Sequence, residues 1–318
     1  MKFFSKYPRR GSRAKFSILA QVFISLVGSS ALLSAQLTGQ TATAASPDGV
    51  HMETIQVTTK IDQNTLMEDQ LVGDNQQPAW TSQRRFPTTR IYVLPPWQFE
   101  VEQWWNGKFN RGEPSDHLFE TEIEAGLPYR FQLDLYENYD GDDDLNLRQD
   151  SESVELRYAL ANWDKIPLNP TLYGEWKFNA NAPDAYELKL LLGEDFGPRW
   201  HWGFNLFYER QIASGFKTES GFSQGISYTI LDNKLSAGVE MNFEYTTENN
   251  VPTTTEFGIG PSIQWRPTSN THLDLVPLIG ATYDAPVVET WVVFGIDFGP
   301  GSARDKNAPI APISTRGR

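Results

Sequence analysis

The chain has no cysteine, which removes disulfides, thiolate metal ligands and thiol nucleophiles together. Histidine is scarce: His51, His117, His201 and His272 stand apart without i,i+4 or His-x-His spacing, which argues against a histidine metal site and leaves each as an ordinary interface or turn residue. No P-loop occurs, and the Gly-x-Ser-x-Gly pattern at Gly221–Gly225 falls inside an alternating strand segment rather than at a strand-to-helix turn, so neither an enzyme nor a cofactor is indicated. Basic charge is short everywhere except at the start. Residues 1–45 hold six basic groups and no acidic one, and the remainder carries 21 basic against 40 acidic residues. Such a chain is not a nucleic-acid binder and does not settle on an anionic inner leaflet. Beyond Ala45 no apolar run approaches the ~18 residues of a membrane helix.

What is present begins with an address. A basic stretch through Lys15, an apolar run over Phe16–Leu33 and small residues at Ala42-Thr43-Ala44-Ala45 have the order of a cleaved secretory signal, residues 1–45. A single anchoring helix is the alternative. Residues 46–90 are polar, with Val57-Thr58-Thr59 as a short strand. They are either a periplasmic linker or an insert in a lumen.

From Trp97 to Phe298 the sequence alternates apolar and polar residues in about twelve segments of about ten residues, separated by Gly, Pro, Asn and Asp clusters. The expected strands are 97–106, 117–125, 130–139, 152–162, 171–179, 185–194, 200–211, 220–231, 235–246, 255–266, 271–281 and 288–298. The eleventh is the weakest, because Leu273-Asp274-Leu275-Val276-Pro277 blurs the period. Short connections such as Leu231–Lys234 alternate with longer polar ones such as Asp140–Ser151 and Thr247–Thr254, with the eight residues Trp163–Pro170 as an exception on the short side. Trp97, Trp200, Trp202 and Trp265 fall at the short-turn ends, and Trp105, Tyr208, Tyr245 and Phe257 at the other ends. Two aromatic girdles and alternating loop lengths favour a closed antiparallel up-and-down transmembrane β-barrel over a soluble all-β sandwich. An even strand count closes every edge.

Parity then assigns faces. Lipid meets the apolar series; the lumen receives an acidic wall of Glu100, Glu102, Glu120, Glu122, Glu124 and Asp134, then the cations Arg157, Lys177 and Lys189. Strands 8–10 turn Gly221, Ser223, Gly225, Ser227, Gly258, Gly260 and Ser262 inward. This arrangement is either a salt-bridged filling or a transverse field that guides polar or cationic solutes. The loop Asp140-Gly141-Asp142-Asp143-Asp144-Leu145-Asn146 has alternate oxygen ligands but lacks the Glu that completes an EF-hand, and reads as a solvated tip.

The stretches Leu94-Pro95-Pro96-Trp97-Gln98-Phe99-Glu100-Val101-Glu102, Glu124-Ala125-Gly126-Leu127-Pro128-Tyr129-Arg130-Phe131-Gln132-Leu133, Tyr228–Ser236 and Trp265–Leu275 resemble outer-membrane barrels of the "MetA-pathway of phenol degradation" transporter type, with Trp97 where that family has Gly. The resemblance covers about residues 91–298. It implies an outer-membrane barrel in a Gram-negative cell, passing small solutes and meeting lipid, lipopolysaccharide and the barrel-assembly machinery. It implies no catalytic residues. The strand count is shared with outer-membrane phospholipase A, but that enzyme's His-x-Ser is missing, since Trp202 and Gly203 follow His201. A non-conducting structural or adhesive barrel is the second reading, and a secreted ligand-binding sandwich the third. A flexible tail of residues 300–318 follows the aromatic-ending strand Trp291–Phe298.

Overall fold

The structure, a computed structural model, describes residues 66–142, 145–213 and 215–299, all within one compact unit, Ile61–Arg318. The export signal, Val57–Thr59, His51, the tail from Pro300 and two of the loop acids, Asp143 and Asp144, lie outside the described residues.

Twelve antiparallel strands close into a barrel. They are β1 (Phe99–Phe109), β2 (Asp116–Leu127), β3 (Phe131–Gly141), β4 (Arg148–Ala159), β5 (Thr171–Asn179), β6 (Ala185–Asp195), β7 (Trp200–Gln211), β8 (Thr218–Leu231), β9 (Leu235–Glu248), β10 (Val251–Thr268), β11 (Thr271–Gly280) and β12 (Val288–Phe298). Each pairs with its sequence neighbours. The seam is sealed by β12 along β1, with Phe298 opposite Phe99 and Val288 opposite Phe109, so no row of backbone donors and acceptors is left open. The two-residue period divides the side chains as expected. Val101, Leu156, Leu172, Leu188, Leu206 and Leu275 are exposed on the outside, while Glu100, Glu102, Glu122 and Asp134 are buried inside.

Three local departures have physical causes. First, β1 begins at Phe99 rather than at Trp97, which sits in a turn at positive φ (68°) after Pro95-Pro96. Its N–H donates to the Gly126 carbonyl at 2.8 Å. Second, Thr247–Thr254 is not a loop: β9 and β10 run on to a tip at Asn249-Asn250, where Asn250 accepts φ 63° and Val251 and the threonines favour extended backbone. Third, the ladder between β10 and β11 lapses between Ile259–Ile279 and Ile263–Leu275. Pro261 and Pro277 fall in this gap and have no N–H to give. There the backbones close up so far that a Cβ on Gly260 would lie 1.8 Å from the Pro277 carbonyl oxygen.

The buried apolar cluster is supplied mostly from outside the wall. Trp80, Phe86, Ile91, Tyr92 and Val93 precede β1 and cluster with Ala159 and Trp163. The long turn containing Trp163 serves this cluster: its N–H donates to the Asn75 carbonyl at 3.0 Å, and its ring meets those of Trp80 and Tyr92 edge-on at 5.9 and 5.3 Å.

Candidate functional site

Residues 66–98 run through the barrel interior in its short-turn half. The run opens on a one-turn 3-10 helix, Met67–Asp69, held by Asp232 in the β8–β9 turn, which accepts from the Met67 N–H at 2.8 Å. Leu71–Val72 pairs with Gln77–Pro78, and Trp80 then stacks on His201, with ring centroids 4.4 Å apart. Phe86 packs onto bare backbone, since a Cβ on Gly225 would lie 2.5 Å from its ring. Thr89 meets Gly203 and bonds Ser223 at 3.1 Å. Arg90 and Asn205 exchange two hydrogen bonds, Arg90 N–H to Oδ1 and Nδ2 to the Arg90 carbonyl. The small residues that parity turned inward on β8 thus clear space for this segment.

Three arginines within seven residues supply its charge. Arg84 donates to Glu102 at 2.5 Å, to Glu122 at 2.9 Å and to Glu124, and its guanidinium lies 4.6 Å from the centre of the Trp104 ring. Arg90 reaches Glu122 at 2.5 Å, Glu124 at 3.1 Å and the Tyr136 hydroxyl at 3.0 Å. Burial opposes its charge, but Glu122 and Glu124 hold the Arg90 guanidinium well above its ordinary pKa. Arg85 pairs with Glu68 at 2.6 Å. Burial pushes the Glu68 carboxyl up, yet hydrogen bonds from His201 and Thr229 and the charge of Arg85 outweigh it, leaving a pKa of about 2. Burial raises the Tyr92 phenol to about 12, and its hydroxyl donates to the Ala161 carbonyl.

The expected acids on β1–β3 are part of a longer feature. Asp297, Glu100, Glu124, Asp134, Glu155, Glu175, Glu187, Glu209 and Glu219 stand directly opposite one another on nine successive strands, β12 and then β1 to β8. Because barrel strands tilt, a row of facing residues climbs as it goes round. This one starts next to the short-turn end of β12 and ends next to the long-loop end of β8. Like charges placed directly opposite destabilise a sheet, and Arg84, Arg90, Arg157, Lys177, Lys189 and Lys217 are interleaved with acids of this row.

Above the inserted segment, in the long-loop half, lies a cavity of about 730 Å³. Its lining includes ten carboxylates, Glu120, Glu175, Glu187, Glu209 and Glu219 among them, against five cations, so its field is negative. Around Arg84 and Phe86, by contrast, the remaining space is about 30 Å³, room for a water or two.

The expected lumen residues all face inward, and on the salt-bridged alternative Arg157, Lys177 and Lys189 would answer the acids of β1–β3. Only Arg157 does, at 2.8 Å from Asp134. Lys177 binds Glu209 two strands away at 2.5 Å and Lys189 binds Glu187 on its own strand at 2.8 Å, because a lysine on β5 or β6 reaches its own strand or about two strands across and no further. The acids of β1–β3 receive Arg84 and Arg90 instead. Two histidines also depart from expectation. His201 and His272 are not interface or turn residues; both are fully buried and face inward. His201 contacts Glu68 and Asp195, and His272 contacts Glu100, Glu102 and Asp274. His117 lies near the outer rim, stacked on Trp105 at 5.9 Å. Of the girdle residues, Trp97, Trp200, Trp265, Tyr208 and Tyr245 are exposed on the outside and Trp105 and Trp202 are half-buried there.

No protein family and no curated protein matches the sequence. Among solved structures the chain is similar to the NanC porin, 11% identical with TM-score 0.46 over 64% of this chain and 100% of that one. A COG4313 outer membrane channel from Pseudomonas putida F1 is 10% identical, with TM-score 0.48 over 65% of this chain and 98% of that one. The KdgM porin is 11% identical, with TM-score 0.42 over 63% and 99%. Identity this low concerns the fold alone.

Proposed function

We propose that the chain is an outer-membrane β-barrel channel for small polar or cationic solutes, closed at its short-turn mouth by residues 66–98. The row of nine carboxylates carries this reading, because it joins one mouth to the other along the lumen wall, where like charges directly opposite cost stability. The outward apolar face and its aromatic rims support placement in a Gram-negative outer membrane, short turns to the periplasm and long loops outside, against lipopolysaccharide. Folding by barrel-assembly machinery and removal of residues 1–45 belong to the same proposal. The hairpin motifs support the narrower likeness to the phenol-degradation transporter type through sequence only.

In the resting arrangement the negative vestibule concentrates cations and the arginine-held segment stops them. Release of Arg84 and Arg90 from Glu122 and Glu124 then exposes the lower steps of the row. One observation favours the alternative, a non-conducting structural barrel: almost no free space remains beside the inserted segment. Planar-bilayer recording separates the two. The wild type is expected to pass little current, and Arg84→Ala with Arg90→Ala to pass a larger, cation-selective one. Absence of current from both, in heat-modifiable and therefore folded protein, would leave the structural reading.

A further inference from the structure

Where β11, β12 and β1 meet, His272 is fully buried, and its two ring nitrogens both face carboxylates. Nδ1 contacts Asp274; Nε2 lies 2.6 Å from Glu100 Oε1 and 3.3 Å from Glu102 Oε1. An acceptor facing an acceptor is unstable, so Nε2 must carry either a proton or a metal ion.

We propose that His272, Glu100 and Glu102 bind a divalent first-row metal ion, with Asp274 fixing the imidazole from behind. Three observations favour the metal. The pocket is shaped for this histidine: the residue between His272 and Glu102 in their shared row is Gly295, and a Cβ there would lie 1.9 Å from His272 Nε2. A glycine on β12 therefore lets the imidazole reach across a whole strand to β1. Negative charge is also in excess. Glu100, Glu102, Asp274 and Asp297 surround the ring, while Arg84 is shared among three carboxylates and Arg266 is engaged by Asp297 at 2.6 Å. Finally, Glu100, Glu102 and His272 each offer one donor atom, and these three atoms lie within 4.8 Å of one another.

The donor set defines the class of ion. One imidazole and two carboxylates suit zinc or manganese, and the carboxylate behind the imidazole is the usual outer partner of a metal-bound histidine. Donors about 2.0–2.1 Å from a tetrahedral zinc stand about 3.3 Å apart. The Nε2–Glu102 separation already has that value, and Glu100 need retreat by only about 0.7 Å. An ion there would tie β11 to β1 across β12, the strand that seals the barrel, and the site requires no flow of solute.

The test uses full-length protein purified in detergent, stripped with EDTA, then titrated with zinc chloride or manganese chloride alone and desalted. One tightly held ion per chain is expected, with an imidazole signature in its X-ray absorption spectrum. Asp274→Asn should weaken binding about 10–100-fold, and His272→Gln should abolish it. Glu209→Gln, in the vestibule, should leave it unchanged. Retention of no ion, or retention that survives His272→Gln but fails in Glu209→Gln, would overturn the site and leave a proton on Nε2. If His272→Gln loses its heat-modifiable mobility and so has not folded, the wild-type absorption spectrum decides, and a shell without imidazole overturns the proposal.

Discussion

The two halves of the lumen share one wall and one alternation of side chains, yet they handle the same excess of carboxylates differently. In the short-turn half, Glu102, Glu122 and Glu124 are fully buried, and much of their counter-charge arrives from a separate segment through Arg84 and Arg90. In the long-loop half, Glu187, Glu209 and Glu219 face the cavity and take lysines from the wall and its rim, Lys189, Lys177 and Lys217. A counter-charge built into the wall stays with its acid. One carried by an inserted segment leaves when that segment leaves, so the lower half can change its field and the upper half cannot.

The largest effect should come from breaking that asymmetry. Arg84→Ala leaves three buried carboxylates short of a cation, and removing one partner of a buried pair costs about 3–5 kcal/mol. The cost falls on the seating of residues 66–98, so limited proteolysis should cleave this segment while the barrel keeps its heat-modifiable mobility. Acid should loosen the same segment. Glu68 has a pKa near 2 when folded, below its ordinary value of 4.5. Its stabilisation is therefore complete above about pH 4.5 and lost as pH falls toward 2, amounting to roughly 3 kcal/mol. Hydrogen exchange of residues 66–98 should accelerate across that window, and Glu68→Gln should flatten the response.

Packing gives a smaller, sharper probe. Gly225→Ala drives a methyl into Phe86, and such overpacking costs about 1–3 kcal/mol. Its signature is faster exchange near Phe86 with no change in the vestibule. Smallest in stability is Glu219→Gln, whose half-exposed pair with Lys217 contributes less than about 1 kcal/mol. It should nevertheless lower cation preference measured as a reversal potential.

Much of the wall was legible in the residues, because burial on one side only forces a two-residue period, and Tyr186-Glu187-Leu188-Lys189-Leu190 shows it plainly. Register was not legible. Glu155, Glu175, Glu187, Glu209, Glu219 and Asp297 become one row with Glu100 only when every hairpin is aligned. The tight turns, such as that at Tyr129, held the clue, since residues counted equally outward from that turn face each other. His272 lies 172 positions from Glu100, beyond any spacing rule. The inserted segment was hidden for another reason: Trp80, Phe86 and Ile91 lack any strand or helix period, Phe86 and Ile91 being placed by contact with glycines of the wall and Trp80 by the rings of His201 and Trp163.

The most direct test exploits the absence of native cysteine. Thr89 and Ser223 touch through their hydroxyls at 3.1 Å, so Thr89→Cys with Ser223→Cys can tether the segment to the wall. In the Arg84→Ala, Arg90→Ala background, oxidation should silence a cation-selective single-channel current and reductant should restore it. A current indifferent to the tether would show that residues 66–98 do not close the path.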